Sequence, residues 1–125
     1  MSANGDLQAA TVIAKTTQTL VGIIPTENQR FLTLFGTYVK GDETGLDIVV
    51  SYQRTPTGTA HNIGEWTSVA GVNTRVDKKY QLTASVNFTI HLDLGAVDYV
   101  HISQGGSNND GTPTGTLAMS YTMGE

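Results

Sequence analysis

The sequence predicts an all-β protein: a single β-sandwich of jelly-roll type, with seven to eight mainly antiparallel strands and an extended N-terminal arm. Three observations carry this expectation. Val86, Phe88, Ile90, Leu92 and Leu94 alternate with Asn87, Thr89, His91 and Asp93, the period of a strand with one buried and one wet face. Threonine is abundant, Gly stands at 14 and charged residues make up only 14% of the 125-residue chain, a composition that suits pleated surfaces joined by turns. Good helix formers are sparse and never cluster at helical spacing.

Taken in order, residues 1–8 form a polar arm with one apolar residue, Leu7. Thr11–Ile24 has strand composition but broken alternation, with apolar pairs at Val12-Ile13, Leu20-Val21 and Ile23-Ile24. Such a segment suits a strand buried on both faces or one that packs on a neighbouring subunit. The expected division is therefore an arm and first strand over 1–18 and a sandwich domain over 19–125. A short helical turn is entertained over 26–30. Arg30–Lys40 reads as a central strand whose Gly36 marks a bulge or a close approach. A Gly-bearing turn, 41–45, leads to a strand over Leu46–Arg54, and the two make a plausible antiparallel pair. Thr55–Gly64 is a loop by its Pro, Gly and Asn content. Glu65–Ala70 is a short strand with the single tryptophan, Trp66, and 71–79 is polar. Val86–Leu94 and Val97–Ser103, joined at Gly95-Ala96, form a candidate hairpin. Gly105–Gly115 is a long, mobile or partner-held loop, and Thr116–Met123 closes the chain as a strand with Leu117, Met119, Tyr121 and Met123 inward.

Charge and composition exclude several functions. A net charge of −4 with seven Lys and Arg does not make the basic stripe that phosphate contacts require, so no nucleic acid is expected as a partner. No apolar run approaches the ~18–20 residues of a membrane span, and the N-terminus lacks the pattern of a signal peptide. The absence of cysteine fits folding in a reducing cytosol and removes thiolate metal sites. His91, Asp93, Asp98 and His101 have the chemistry of zinc ligands but also that of an ordinary wet face. Asp42–Gly45 and Asn108–Gly111 resemble pieces of calcium loops and equally ordinary turns. No nucleophile elbow, paired-carboxylate site or phosphate cradle is present in the sequence. The expectation is a non-enzyme without metal, catalytic residues or cofactor.

Tyr52 and Tyr121 are in phase with core positions, whereas Trp66 and Tyr99 are the aromatics expected at the surface, where a sugar could stack. Leu7, Val12, Ile13, Ile63, Trp66 and Tyr99 are the candidate interface residues. The succession RFLTLFGTYVKG, GLDIVVSYQRTPTG, GEWTSV, NFTIHLDL, VDYVHISQGG and GTLAMSYT, over about residues 30–123, resembles small β-sandwich virion proteins of tailed bacteriophages. That resemblance implies a non-enzymatic structural protein, most readily a capsid decoration (cement) protein. It would be made in the host cytoplasm, reside in the virion as a homo-oligomer and contact the major capsid protein or other virion proteins. The alternatives are a tail or neck component and a carbohydrate-binding β-sandwich module with glycans as partners.

Overall fold

The computed structural model describes residues 3–14, 18–95, 97–106 and 112–124, and leaves the side chains of Ala3, Glu65, Val76 and Asp77 undescribed. Among the described residues eleven strands form: β1 (Ala3–Val12), β2 (Thr19–Pro25), β3 (Phe31–Val39), β4 (Leu46–Gln53), β5 (His61–Asn62), β6 (Gly64–Val69), β7 (Val72–Asp77), β8 (Tyr80–Leu82), β9 (Val86–Asp93), β10 (Tyr99–Gly106) and β11 (Thr116–Gly124). One sheet runs β1-β11-β3-β9. A second runs β2-β10-β4-β5, with β8 also on β4, and β6-β7 stand as a separate two-stranded ribbon. Every pairing is antiparallel.

The two larger sheets share one core. Leu32, Leu34, Tyr38, Ile90, Leu92, Leu117 and Met119 come from the first, and Ile24, Leu46, Ile48, Val50, Val100 and Ile102 from the second. Most of these are the even or odd members of an alternating strand, as a sandwich filled from two inner faces requires. On β3 the inward set is Leu32, Leu34, Gly36 and Tyr38, while Phe35 and Val39 face outward and are 43% and 54% exposed. β3 is central, between β11 and β9. Its Gly36 lies opposite Phe88, and a Cβ there would come within 2.1 Å of the Phe88 ring. The close approach expected at this glycine is thus made by an aromatic side chain from the neighbouring strand, which fills the space a side chain would occupy.

Two expected hairpins do not form. β3 and β4 lie in different sheets, and so do β9 and β10. The connection over 40–45 crosses the sandwich, as does the one after Leu94, where Gly95 adopts φ 55° and Val97 N–H donates to Leu94 C=O at 3.1 Å. Packed sheets are ~10 Å apart, a gap such connections span. Alternation defines which face of a strand is buried but not which strand lies beside it. Thr11–Ile24 likewise divides: β1 ends in one sheet, β2 begins in the other, and Ile13 is buried at the crossing. The pair Val12-Ile13 falls at that change of sheet, and the pair Leu20-Val21 falls at an irregularity in the β2–β10 register.

The helical turn entertained over 26–30 is instead a tight turn, with Gln29 N–H donating to Thr26 C=O and positive φ at Glu27 and Asn28. Thr26 is buried, and its hydroxyl donates to Val97 C=O at 2.6 Å, pinning this turn to the β9–β10 connection. The arm's described part, Ala3–Val12, is an edge strand on β11 of its own chain. Residues 1, 2, 15–17, Ala96 and 107–111 of the expected arm, turn and loop lie outside the described residues.

Candidate interaction surfaces

The ribbon β6-β7 follows from a local signal. Val69 and Val72 flank Ala70-Gly71, whose φ values of 53° and 81° are both positive, the geometry of a two-residue turn matched to strand twist. The polar stretch after residue 71 is therefore a strand, β7, which the alternation of apolar residues alone does not reveal. The ribbon interrupts one edge of the second sheet. β5 and β8 pair with different parts of β4, and the ribbon leaves between them. Its base closes where Lys78 N–H donates to Ile63 C=O at 2.8 Å and Ile63 N–H to Val50 C=O at 3.3 Å. Arg75 reaches back from β7, its guanidinium donating to Asn62 C=O.

Beyond that base the ribbon stands in solvent. Its described side chains from Trp66 to Arg75 are exposed, with Trp66 at 71%, Val69 at 73% and Val72 at 63%. The register separates them by face: Trp66 is opposite Arg75 on one side, and Val69 opposite Val72 on the other. An isolated two-stranded ribbon is marginal in water, and this one presents large apolar side chains on both faces.

The outer face of the first sheet offers a second surface. Phe35, Thr37, Asn87, Thr89, Ala118 and Ser120 floor an open depression of about 740 Å³ bounded by Asp6, Gln8 and Ala9 of β1. At the other end of this face Phe31 stacks on His91 at 5.7 Å, His91 Nδ1 hydrogen-bonds the Thr33 hydroxyl at 2.9 Å, and Arg30 pairs with Asp93 at 3.4 Å. The outer face of the second sheet is more enclosed. Ser51 donates to Asn62 Oδ1 at 2.6 Å, Ser103 to Gln18 Oε1 at 2.9 Å, and Gln53 Nε2 to Gly58 C=O at 2.8 Å.

The calcium-like turn at Asp42–Gly45 has a structural role. Glu43 is buried, and its carboxylate accepts from the Tyr38 hydroxyl at 2.5 Å, Gly41 N–H at 2.8 Å, Thr114 N–H at 3.2 Å and Gly115 N–H at 2.8 Å. Burial alone would raise its pKa. The hydrogen bonds from the Tyr38 hydroxyl and from the backbone N–H groups of Gly41, Gly115 and Glu43 itself outweigh burial and hold it at about 2, against an ordinary 4.5. Tyr38 responds in the opposite sense, raised by its own burial and then by the hydrogen bond and charge of Glu43. A carboxylate so fully occupied by protein donors clamps two loops together. The second calcium-like turn, Asn108–Gly111, lies outside the described residues.

The expected interface residues are distributed. Val12 and Trp66 are exposed, Ile13 belongs to the core, and Leu7, Ile63 and Tyr99 are half-buried. Leu7 packs against the core beside Gly22. Tyr99 sits on β10 between Pro25 and Gln53, away from the ribbon in register, so it does not join Trp66 in the strand pairing. Tyr52 and Tyr121 pack on the core, as their phase implies. The four possible zinc ligands fall on β9, β10 and the connection between two sheets, and no group of three or more such residues able to hold a metal occurs among the described residues. Val69, Val72 and Phe35 are surface apolar residues that the sequence reading did not single out. The Val-Ala-Gly-Val turn was the available signal for the first two.

Fold and surfaces together define an antiparallel β-sandwich with a projecting ribbon and apolar side chains on its exterior. No family model matches the sequence, and no curated protein does. Solved structures share the fold, among them two that superpose over nearly the whole chain. The SPBc2 prophage-derived protein YomS superposes with a TM-score of 0.59 at 11% identity, over 98% of this chain and 92% of that one. A chain from the Bacillus endospore appendages, which form a family of disulfide-linked pili, superposes with a TM-score of 0.51 at 14% identity, over 99% of this chain and 87% of that one.

Proposed function

We propose that this chain is a non-enzymatic structural protein of a phage particle, attached as a capsid decoration subunit by protein–protein contacts with the major capsid protein. The observation that carries this reading is the β6-β7 ribbon, a solvent-exposed element whose Trp66, Val69 and Val72 stand outside the core formed by the described residues. Exposed apolar residues grouped on one projecting element suit attachment to another protein, and repetition on a lattice makes individually weak contacts cumulative. The shared fold of a prophage-derived protein and of a chain from disulfide-linked pili supports an assembly role. This chain has no cysteine, so its assembly would rest on non-covalent contacts. The strand order, with β5 and β8 together filling the fourth position of the second sheet, supports the jelly-roll reading.

Sedimentation of source particles with quantitative mass spectrometry across the gradient tests the proposal. The expected result is a dense-band protein at high copy number relative to the shell protein. A low fixed ratio would assign it to neck or tail instead, and recovery only from the soluble fraction would overturn a virion role.

A further inference from the structure

The two larger sheets have four outer edges, and three of them are obstructed. β1 is irregular in register between Asp6 and Gln8 and again between Gln8 and Thr11. β2 ends in Pro25 and carries an extra residue, Val21, between Gly22 opposite Ile102 and Leu20 opposite Ser103. The edge formed by β5 and β8 is broken by the projecting ribbon and carries Lys78 and Lys79. Bulges, proline, lysine and short strands are the devices by which sheets avoid pairing with other chains. β9 has none of them. Its eight residues pair with β3 without a break, from Phe31 opposite Asp93 to Tyr38 opposite Val86, and contain neither Pro nor Lys.

The direction of its backbone groups can be read from the adjoining hydrogen bond. Leu94 N–H donates to Arg30 C=O at 2.6 Å, in continuation of the β3–β9 register. Backbone groups alternate sides along an antiparallel strand. Those of Ile90 and Leu92 therefore point to β3, whereas those of Asn87, Thr89, His91 and Asp93 point to the open edge.

We propose that this edge pairs with β9 of a second copy of the chain, antiparallel about a two-fold axis through Ile90. The sequence of the strand favours itself as occupant. In this register Asn87 lies opposite Asp93 and Thr89 opposite His91 on the outer face, so a polar group meets each ionisable one and no like charges are juxtaposed. On the inner face Phe88 lies opposite Leu92, and Val86, 38% exposed in the single chain, lies opposite the second copy's Leu94. A two-fold axis normal to the sheet keeps both inner faces on one side, and such isologous pairing is the commonest closed assembly. The first sheet would then run continuously through both copies, with its apolar inner surface extended across the junction.

The test uses the full chain and two double variants in sedimentation equilibrium. Wild type is expected at twice the chain mass of 13.3 kDa. Thr89→Lys/His91→Lys sets lysine opposite lysine at both outer positions and is expected to sediment at the single-chain mass. Thr89→Lys/His91→Glu sets lysine opposite glutamate and is expected to recover the doubled mass, which separates loss of pairing from loss of fold. Amide exchange at Asn87, Thr89, His91 and Asp93 should be slow in wild type and at least ~10-fold faster in the lysine pair, since these amides would otherwise be open to water. A single-chain wild type, a doubled mass in the lysine pair, or failure of the glutamate variant to recover would each overturn the pairing.

Discussion

Glu43 shows how much one side chain can do away from any chemistry. Its carboxylate joins the end of β3, the 41–45 turn and residues 114–115 before β11, and a Cβ at Gly115 would sit 2.2 Å from its Oε2. Glycine is needed there so that the backbone can approach the carboxylate, not for an unusual φ. Because the folded-state pKa of about 2 is below the ordinary 4.5, the ionised form stabilises the fold. That contribution is complete above about pH 4.5 and is lost as pH falls toward 2. Glu43→Gln keeps the shape but turns an amide toward hydrogen-bond donors, and it should cost about 2–3 kcal/mol at neutral pH. Urea unfolding at pH 7 and at pH 3 should show the gap between variant and wild type narrowing in acid. Equal gaps at the two pH values would mean that the charge of Glu43 does not stabilise the fold. Tyr38 adds a limit at the other end of the scale. Its raised pKa means that stability falls as pH rises above 10, a loss that Tyr38→Phe should reduce, with the remainder coming from Tyr52, whose pKa is also raised by burial.

Among the elements, the β6-β7 ribbon separates stability from recognition. Its exposed side chains contribute little to the core, so Trp66→Ser/Val69→Ser/Val72→Ser should change unfolding free energy by no more than ~0.5–1 kcal/mol. The same triple variant should lose attachment to particles in a co-sedimentation assay, because aromatic and aliphatic anchors dominate protein contacts. Full attachment with all three removed would place recognition elsewhere on the sandwich. The ribbon also marks where sequence reading reaches its limit. Strong alternation identified β9 and β11 and their inward residues, since burial of one face imposes a period of two, whereas β3 carries apolar residues in both phases and β4 is buried on both faces, so those strands were legible but their inward sets were not. The partner of each strand was not legible: Ile90, Leu92, Leu117 and Met119 all read simply as inward, whether the adjacent strand in sequence lies beside them or across the core. β7 was missed because all its described side chains are exposed, leaving no alternation to detect. The candidate surface was legible only at Trp66 and Val12. Ile13, with the same composition signal as Val12, is buried where the chain changes sheets.

At the scale of the whole molecule, the N-terminal segment completes the sandwich. β1 lies along nearly the whole of β11, from Ala3 opposite Met123 to Val12 opposite Thr116, and Gln8 Nε2 adds a bond to Leu117 C=O at 2.7 Å. Tyr121 covers Gly5 across the pair, while Leu7 reaches the core beside Gly22 of β2. Deleting residues 1–12 would remove Leu7 from that packing and leave β11 as a long, newly opened edge. A loss of about 3 kcal/mol for the missing packing and pairing corresponds to a fall in Tm of roughly 10 °C for a chain of this size. The truncated chain should also self-associate through the exposed edge of β11. A synthetic peptide spanning residues 1–14, supplied in excess, should restore Tm by occupying that edge as an added strand. Scanning calorimetry with and without the peptide checks both halves of the prediction. An unchanged Tm after deletion would mean that β1 is dispensable to the sandwich. A lowered Tm with no rescue would mean that the segment stabilises only when covalently joined to Ile13, whose burial at the sheet crossing fixes where β1 ends and the rest of the core begins.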